Sequence, residues 1–299
     1  MNTPIHPIYA PWGRFGLYTF LIDAPELAIV DTGVTATAEG VAQGLKQLGR
    51  SIEDVKWILL THGHIDHLGG TVKLWEMTNR RAKVVIHADD ADYLQRRRAH
   101  VENYLKLRAR YIEDPEAEDK QTAMMSEAIS GEMSPHVVVR GGETLDLGGV
   151  NVRVIHTPGH TDGSVSYLVE GQNDIFVGDA VQIHGAANGF PGYENPLSYR
   201  ESLLKLQQLE PNRLFLGHPF RSAEGVAYEV ELDFVKSAHV LQEALDIESR
   251  VSAAAMLPNG SSDSPYSPFE RAAQAMNYSG DPRLEPSPFF TTMHGYMNS

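Results

Sequence analysis

Residues 57–70, WILLTHGHIDHLGG, decide the reading of this chain. The stretch opens as an apolar β-type run, Trp57-Ile58-Leu59-Leu60. It then sets four groups able to bind a metal, His62, His64, Asp66 and His67, within six residues. Side chains alternate in an extended segment, so His62 and His64 can converge on one point from a loop leaving the strand. Asp66 and His67 are adjacent and diverge toward a second point as a helix over residues 68–77 begins. Imidazole suits zinc, iron and similar borderline cations, and a carboxylate among imidazoles favours a catalytic site over a structural one. A solvated polar loop rarely concentrates such residues by chance.

The surrounding composition narrows the classes. With 299 residues the chain can form one large layered domain, or one domain with a helical appendage. Hydrophobic residues make up 42% and charged residues 21%, the balance of an ordinary soluble globular protein. A net charge of −14 argues against nucleic acid, whose phosphates need a basic surface, and against an anionic membrane. The start, MNTPIHPIYAPWG, lacks the pattern of a signal peptide, and no long apolar run follows. Cysteine is absent, which rules out disulfides and thiolate ligands and fits a cytoplasmic protein.

Taken in order, residues 5–33 read as strands, with runs at 18–22 and 27–30 around the turn Asp23-Ala24-Pro25-Glu26. A helix is predicted over 36–48, with Val41, Leu45 and Leu48 on one face. Strands follow at 55–60 and 83–87. Residues 91–132 break the rhythm and read as two inserted helices interrupted at Pro115. Within them Arg96-Arg97-Arg98 either grips an acidic substrate or forms a solvated helix face. Strands resume at 136–139, 144–147 and 150–155, with a hairpin turn at 146–150, and again at 165–169 and 175–177. A Gly/Asn-rich loop spans 185–195. Then come a helix over 197–209, a strand over 213–216, a mostly helical 224–256, a linker over 258–268, a short helix over 269–276 and an irregular tail. Phe289, Phe290 and Tyr296 make that tail apolar enough to dock on its own domain or on a partner, which leaves a homodimer open.

Each further candidate ligand sits just past a predicted strand: His160, Asp179 and His218. Loops at strand ends on one edge of a sheet are where α/β proteins collect their sites. Asp31-Thr32-Gly33, His62-x-His64-x-Asp66-His67, His160, Asp179 and His218 together resemble the metallo-β-lactamase superfamily of metal-dependent hydrolases, over roughly residues 5–220. The resemblance implies a four-layer αββα sandwich in residues 1–222, with 91–132 inserted beside the substrate pocket and 223–299 a helical extension packed on the same domain. It also implies two zinc ions, whose ligands would accept manganese or iron as well. His62, His64 and His160 would hold one ion, Asp66, His67 and His218 the other, and Asp179 would bridge them. A bridging hydroxide would attack a carbonyl, Asp66 would carry a proton to the leaving group, and Asp31 would orient a ligand. Thr161 is a further outer-layer group, and His184 and Tyr193 are candidate pocket residues.

The superfamily hosts many reactions, and departures from its subgroups discriminate among them. Many zinc β-lactamases have a cysteine, or no metal-binding carboxylate, where Asp179 stands. Quorum-signal lactonases typically carry a tyrosine three residues after the bridging aspartate, where this chain has Gln182. Glyoxalase-II-type thioesterases share the seven ligands, yet residues 220–299 offer no basic cluster for glutathione. The favoured expectation is a dinuclear hydrolase of a lactone, ester or thioester in a small molecule. A β-lactam hydrolase and an iron-dependent oxidoreductase of the same fold are the alternatives.

Overall fold

The computed structural model describes residues 2–13, 15–184, 189–222, 225–282 and 287–298. Positions 185–188 of the expected loop, and residues 224 and 299 at the ends of expected segments, lie outside that set. The chain builds two six-stranded sheets. The first runs in chain order through β1 (Ile5–Trp12), β2 (Phe15–Ile22), β3 (Leu27–Val30), β4 (Val55–Leu59), β5 (Lys83–His87) and β6 (Val137–Val139). Its first three strands are antiparallel, and β3 to β6 are parallel. The second sheet has β7 (Thr144–Asp146), β8 (Asn151–His156), β9 (Val165–Val169), β10 (Asp174–Gly178), β11 (Arg213–Leu216) and β12 (Glu231–Asp233), again in sequential neighbour order.

Alternation along the strands produces the layers. Ala28 and Val30 of β3, Trp57 and Leu59 of β4, Phe176 of β10 and Phe215 of β11 point into one cluster between the sheets. Their neighbours turn outward. Ile29 and Ile58 pack under α1 (Ala38–Gln47) and α3 (Thr71–Met77) through Val41, Leu45 and Leu74. On the far side, Ile175 and Leu214 meet α7 (Pro196–Gln208), α8 (Phe234–Ala255), α9 (Glu270–Ala275) and α10 (Pro288–Asn298). The order is therefore helix, sheet, sheet, helix. That is the expected αββα sandwich.

Local chemistry moves several boundaries. The helix after the histidine cluster starts at Ile65, with His64 as its extended N-cap, and forms α2 (Ile65–Leu68) before Gly69-Gly70 breaks it from α3. The inserted segment holds three helices where two were expected: α4 (Ala91–Gln95), α5 (Arg97–Arg108) and α6 (Ala117–Ala128). The extra break falls at Arg96, whose φ of −142° and ψ of 111° are extended. Arg96 pairs with Asp92 and Glu102, and Arg98 with Glu102 and Glu118, so these two cations are spent within the inserted segment, partly in joining its helices. The short β12 was not anticipated; its three residues carry little pattern. Nor is the tail irregular throughout, because Pro288 opens α10 at the position where proline's fixed φ is tolerated. Among the described residues no helix is long and apolar enough to cross a membrane.

Phe289 and Phe290 of α10 are fully buried among Tyr278, Phe269 and Tyr111. Phe289→Ala is expected to cost about 3–5 kcal/mol in urea unfolding, as large-to-small core changes do. A loss below about 1 kcal/mol would mean that α10 lies outside the cooperative unit.

Candidate metal centre

Both sheets deliver their strand ends to one edge. Asp31 follows β3, His62 and His64 follow β4, His160 follows β8, Asp179 follows β10 and His218 follows β11. Potential ligand atoms of His62, His64 and His160 lie within 4.8 Å of one another, and the same holds for Asp66, His67 and His218. Asp179 sits between the groups. Its Oδ2 is 3.5 Å from His160 Nε2, while its Oδ1 is 3.3 Å from His67 Nε2 and 3.4 Å from His218 Nε2. All seven residues meet.

Hydrogen bonds behind the rings aim their nitrogens inward. His67 Nδ1 donates to Asp31 Oδ2 at 2.8 Å, and His160 Nδ1 donates to the carbonyl of Gly192 at 2.6 Å. His62 Nδ1 lies 3.1 Å from Thr61 Oγ1, which itself donates to Asp31. Asp31 holds this post with φ at +59°, a left-handed backbone that aspartate tolerates better than most residues. His64 Nδ1 faces His160 Nε2 at 2.8 Å, and His67 Nε2 faces His218 Nε2 at 3.2 Å.

Charge divides the cluster. Burial, with neighbouring imidazoles, holds His62 well below the usual histidine pKa and takes His64 down to about 3. Burial also opposes charge on His218, but Asp179 and Asp66 outweigh it and raise its pKa to about 10. His67 is raised in the same way by Asp179, Asp31 and Asp66. Within this arrangement His62 Nε2 and Asp179 Oδ1 are buried and make no hydrogen bond. A neutral imidazole lone pair without a hydrogen bond, grouped within 4.8 Å with His67 and a carboxylate whose oxygen has only ion-pair contacts, has the polarity that a cation satisfies. The donor set fits a divalent metal.

Asp90, which sequence reasoning passed over, ties the centre together. Its carboxylate accepts from Gly63 N–H at 2.6 Å, Gly163 N–H at 3.0 Å and Thr161 Oγ1 at 2.8 Å. Gly63 separates His62 from His64, so one side chain joins a loop of the first sheet to the His160 loop of the second. A Cβ at Gly163 would stand 2.4 Å from the Asp90 carboxyl carbon, so glycine is needed for this approach. Burial raises the Asp90 pKa to about 6, against the pull of those three bonds. Asp90 stands after β5 just as Asp31 stands after β3; strand-end position was its one available signal. Gln182 is a second such group. Its side-chain oxygen accepts from Gly192 N–H at 2.5 Å, and its amide donates to Asp179 Oδ2 at 3.3 Å.

The two pocket candidates lie elsewhere. Tyr193 is 0% exposed, stacked on Tyr199 and bonded to Tyr296, so it supports the loop and is closed to substrate. His184 turns toward α8, with Nε2 3.7 Å from Glu243.

Fold and centre together define the class. Residues 12–218 match the metallo-beta-lactamase superfamily, and the chain belongs to it. A hydroxyacylglutathione hydrolase of Acidiphilium cryptum is 30% identical over 224 residues, covering 74% of each chain. An uncharacterised Bacillus subtilis protein, YobT, is 30% identical over 206 residues, covering 64% of this chain and 78% of its own. A metallo-beta-lactamase family protein of Thermus thermophilus superposes with a TM-score of 0.71 at 22% identity, covering 98% of this chain and 91% of that one. A Sulfolobus tokodaii member covers both chains fully with a TM-score of 0.61 at 19% identity.

Asp90→Ala should leave every candidate ligand in place yet weaken divalent-cation affinity by about 10- to 100-fold, the usual effect of losing an outer-layer partner. Chelator competition measures this. Unchanged affinity would remove Asp90 from the account.

Proposed function

We propose that the chain is a dinuclear zinc hydrolase that cleaves an ester-like bond, a lactone, ester or thioester, in a small molecule. One observation carries the reading: seven histidine and aspartate side chains converge on one site, where His62 Nε2 and Asp179 Oδ1 are buried without a hydrogen bond. His62, His64 and His160 would hold one ion and Asp66, His67 and His218 the other, with Asp179 between them. Bound there, paired divalent cations would lower the pKa of water to the neutral range and polarise a carbonyl.

The remaining work falls to side chains. Asp31 holds His67 by its Nδ1, the Gly192 carbonyl holds His160, and Asp90 fixes the separation of the two loops. Asp66 is the carboxylate suited to carrying a proton to the leaving group. Its side chain is 29% exposed and that of Asp179 only 9%, so Asp66 alone meets both the cluster and the solvent side. Hydroxyacylglutathione, in the name of several relatives, is an acyl group on a thiol-bearing peptide, which favours the thioester within this class. Absence of cysteine supports a cytoplasmic setting.

Proton release under zinc, followed across lactones, aryl esters, thioesters and β-lactams, tests the reading. Cleavage of one of the first three is expected, with two zinc ions per chain by metal analysis. His64→Ala and Asp179→Ala should each lower the rate by about 100-fold or more. Full activity in either folded variant would end the proposal, and exclusive β-lactam cleavage would redirect it.

A further inference from the structure

We propose that Glu194 and Tyr93 form a recognition site for a cationic nitrogen on the substrate, on the His62, His64 and His160 side of the centre. The inference rests on the hydrolase reading only for the bond that is cut.

Two elements bring the pair to that side. Tyr93, in α4, lies against Gly63: a Cβ on Gly63 would stand 2.3 Å from Tyr93 Cδ2. Its ring therefore covers the backbone between His62 and His64. Glu194 belongs to the loop that supports His160, two residues beyond the Gly192 carbonyl, and its own N–H donates to Gly159 at 2.7 Å. Helix α5 spans the gap. Val101 and Leu105 pack with Ile65, between His64 and Asp66, while Asn103 Nδ2 reaches Glu194 Oε1 at 3.3 Å.

The carboxylates around Glu194 outnumber the one cation that acts on it, the exposed Lys106. The Glu194 carboxylate's one hydrogen bond to a described residue comes from that neutral amide. Its carboxyl is pushed up to about 7, first by burial and then, against the Asn103 bond, by Asp90 and Asp162. Burial, followed by the carboxylates of Glu194, Asp90, Asp162 and Asp92, raises the Tyr93 hydroxyl as well. Lys106 is exposed and forms no ion pair with Glu194 among the described residues. A mostly buried carboxylate among other carboxylates is unfavourable alone, and a bound cationic N–H is the group that compensates it. The bland alternative makes Glu194 a tether between α5 and its loop. A tether has no means of distinguishing a charged substrate from a neutral one.

The test compares the zinc-loaded full chain with its Glu194→Gln and Tyr93→Phe variants on two thioesters of matched shape. Dimethylaminoethyl thioacetate is cationic at neutral pH, and isopentyl thioacetate is neutral. Wild type should prefer the cationic ester in kcat/KM by about 10- to 100-fold, the span of one charge-assisted hydrogen bond, mainly through KM. Glu194→Gln should abolish the preference and Tyr93→Phe should reduce it. Equal use of both esters by wild type, or an undiminished preference in Glu194→Gln, overturns the inference. If wild type cleaves neither ester, the hydrolase reading fails for this bond, and calorimetry decides the site separately. Dimethylaminoethanol binding that isopentanol does not reproduce and Glu194→Gln loses would uphold it; no binding would overturn it.

Discussion

One carboxylate, that of Asp90, bonds to backbone in the histidine-bearing loops of both sheets. Each sheet is stable through its own ladders and packing, but nothing in a ladder fixes the distance between loops on different sheets. Asp90 adds that constraint by accepting N–H bonds from Gly63 and Gly163 together with the Thr161 hydroxyl, beside the Val165 N–H bond to the Thr61 carbonyl and the Tyr167 hydroxyl bond to the Leu60 carbonyl. Hydrogen bonds to a charged acceptor are short and directional, so the His62 and His160 loops are held in one frame. The same carboxylate is buried enough to have its pKa raised to about 6. It is a costly placement, and the three donors explain how it is sustained.

The distribution of charge follows from the same architecture. His62, His64 and His160 keep neutral rings, whereas His67 and His218 face Asp66 and Asp179 and are drawn toward the protonated form. One half of the centre is thus all lone pairs and the other is balanced acid against base. Two cations of the same kind would meet different surroundings, three neutral rings in one place and a carboxylate-rich set in the other. Differences in affinity between the two positions are expected from this asymmetry alone.

Residue type and spacing revealed the histidine cluster and the strand ends that complete it, because metal ligation demands particular atoms and β-strands alternate. The order of strands and helices pointed to sheet covered by helices, and the four layers came from the resemblance; in the structure Ile29 and Val30, or Phe176 and Val177, divide between opposite faces. Asp90 escaped notice because one aspartate after a strand resembles any turn residue until its donors are seen. The break at Arg96 and the strand β12 are tertiary outcomes with little local signal. Tyr193 misled for the opposite reason. Its neighbours glycine and proline suggest an open loop, yet α7 and α10 close over its ring.

The last helix reaches the centre in two steps. Thr292 of α10 donates to the Pro191 carbonyl and accepts from Tyr193 N–H, and between those residues lies Gly192, whose carbonyl orients His160. Helix α10 therefore helps to hold the candidate ligand His160, although it contributes no candidate ligand itself. Altering that helix amounts to pulling on the His160 imidazole through a contact whose partners, Thr292 and Tyr193, are 99 residues apart in sequence. Relatives that differ only in their C-terminal helices could on this basis differ in metal occupancy while sharing every metal-binding residue.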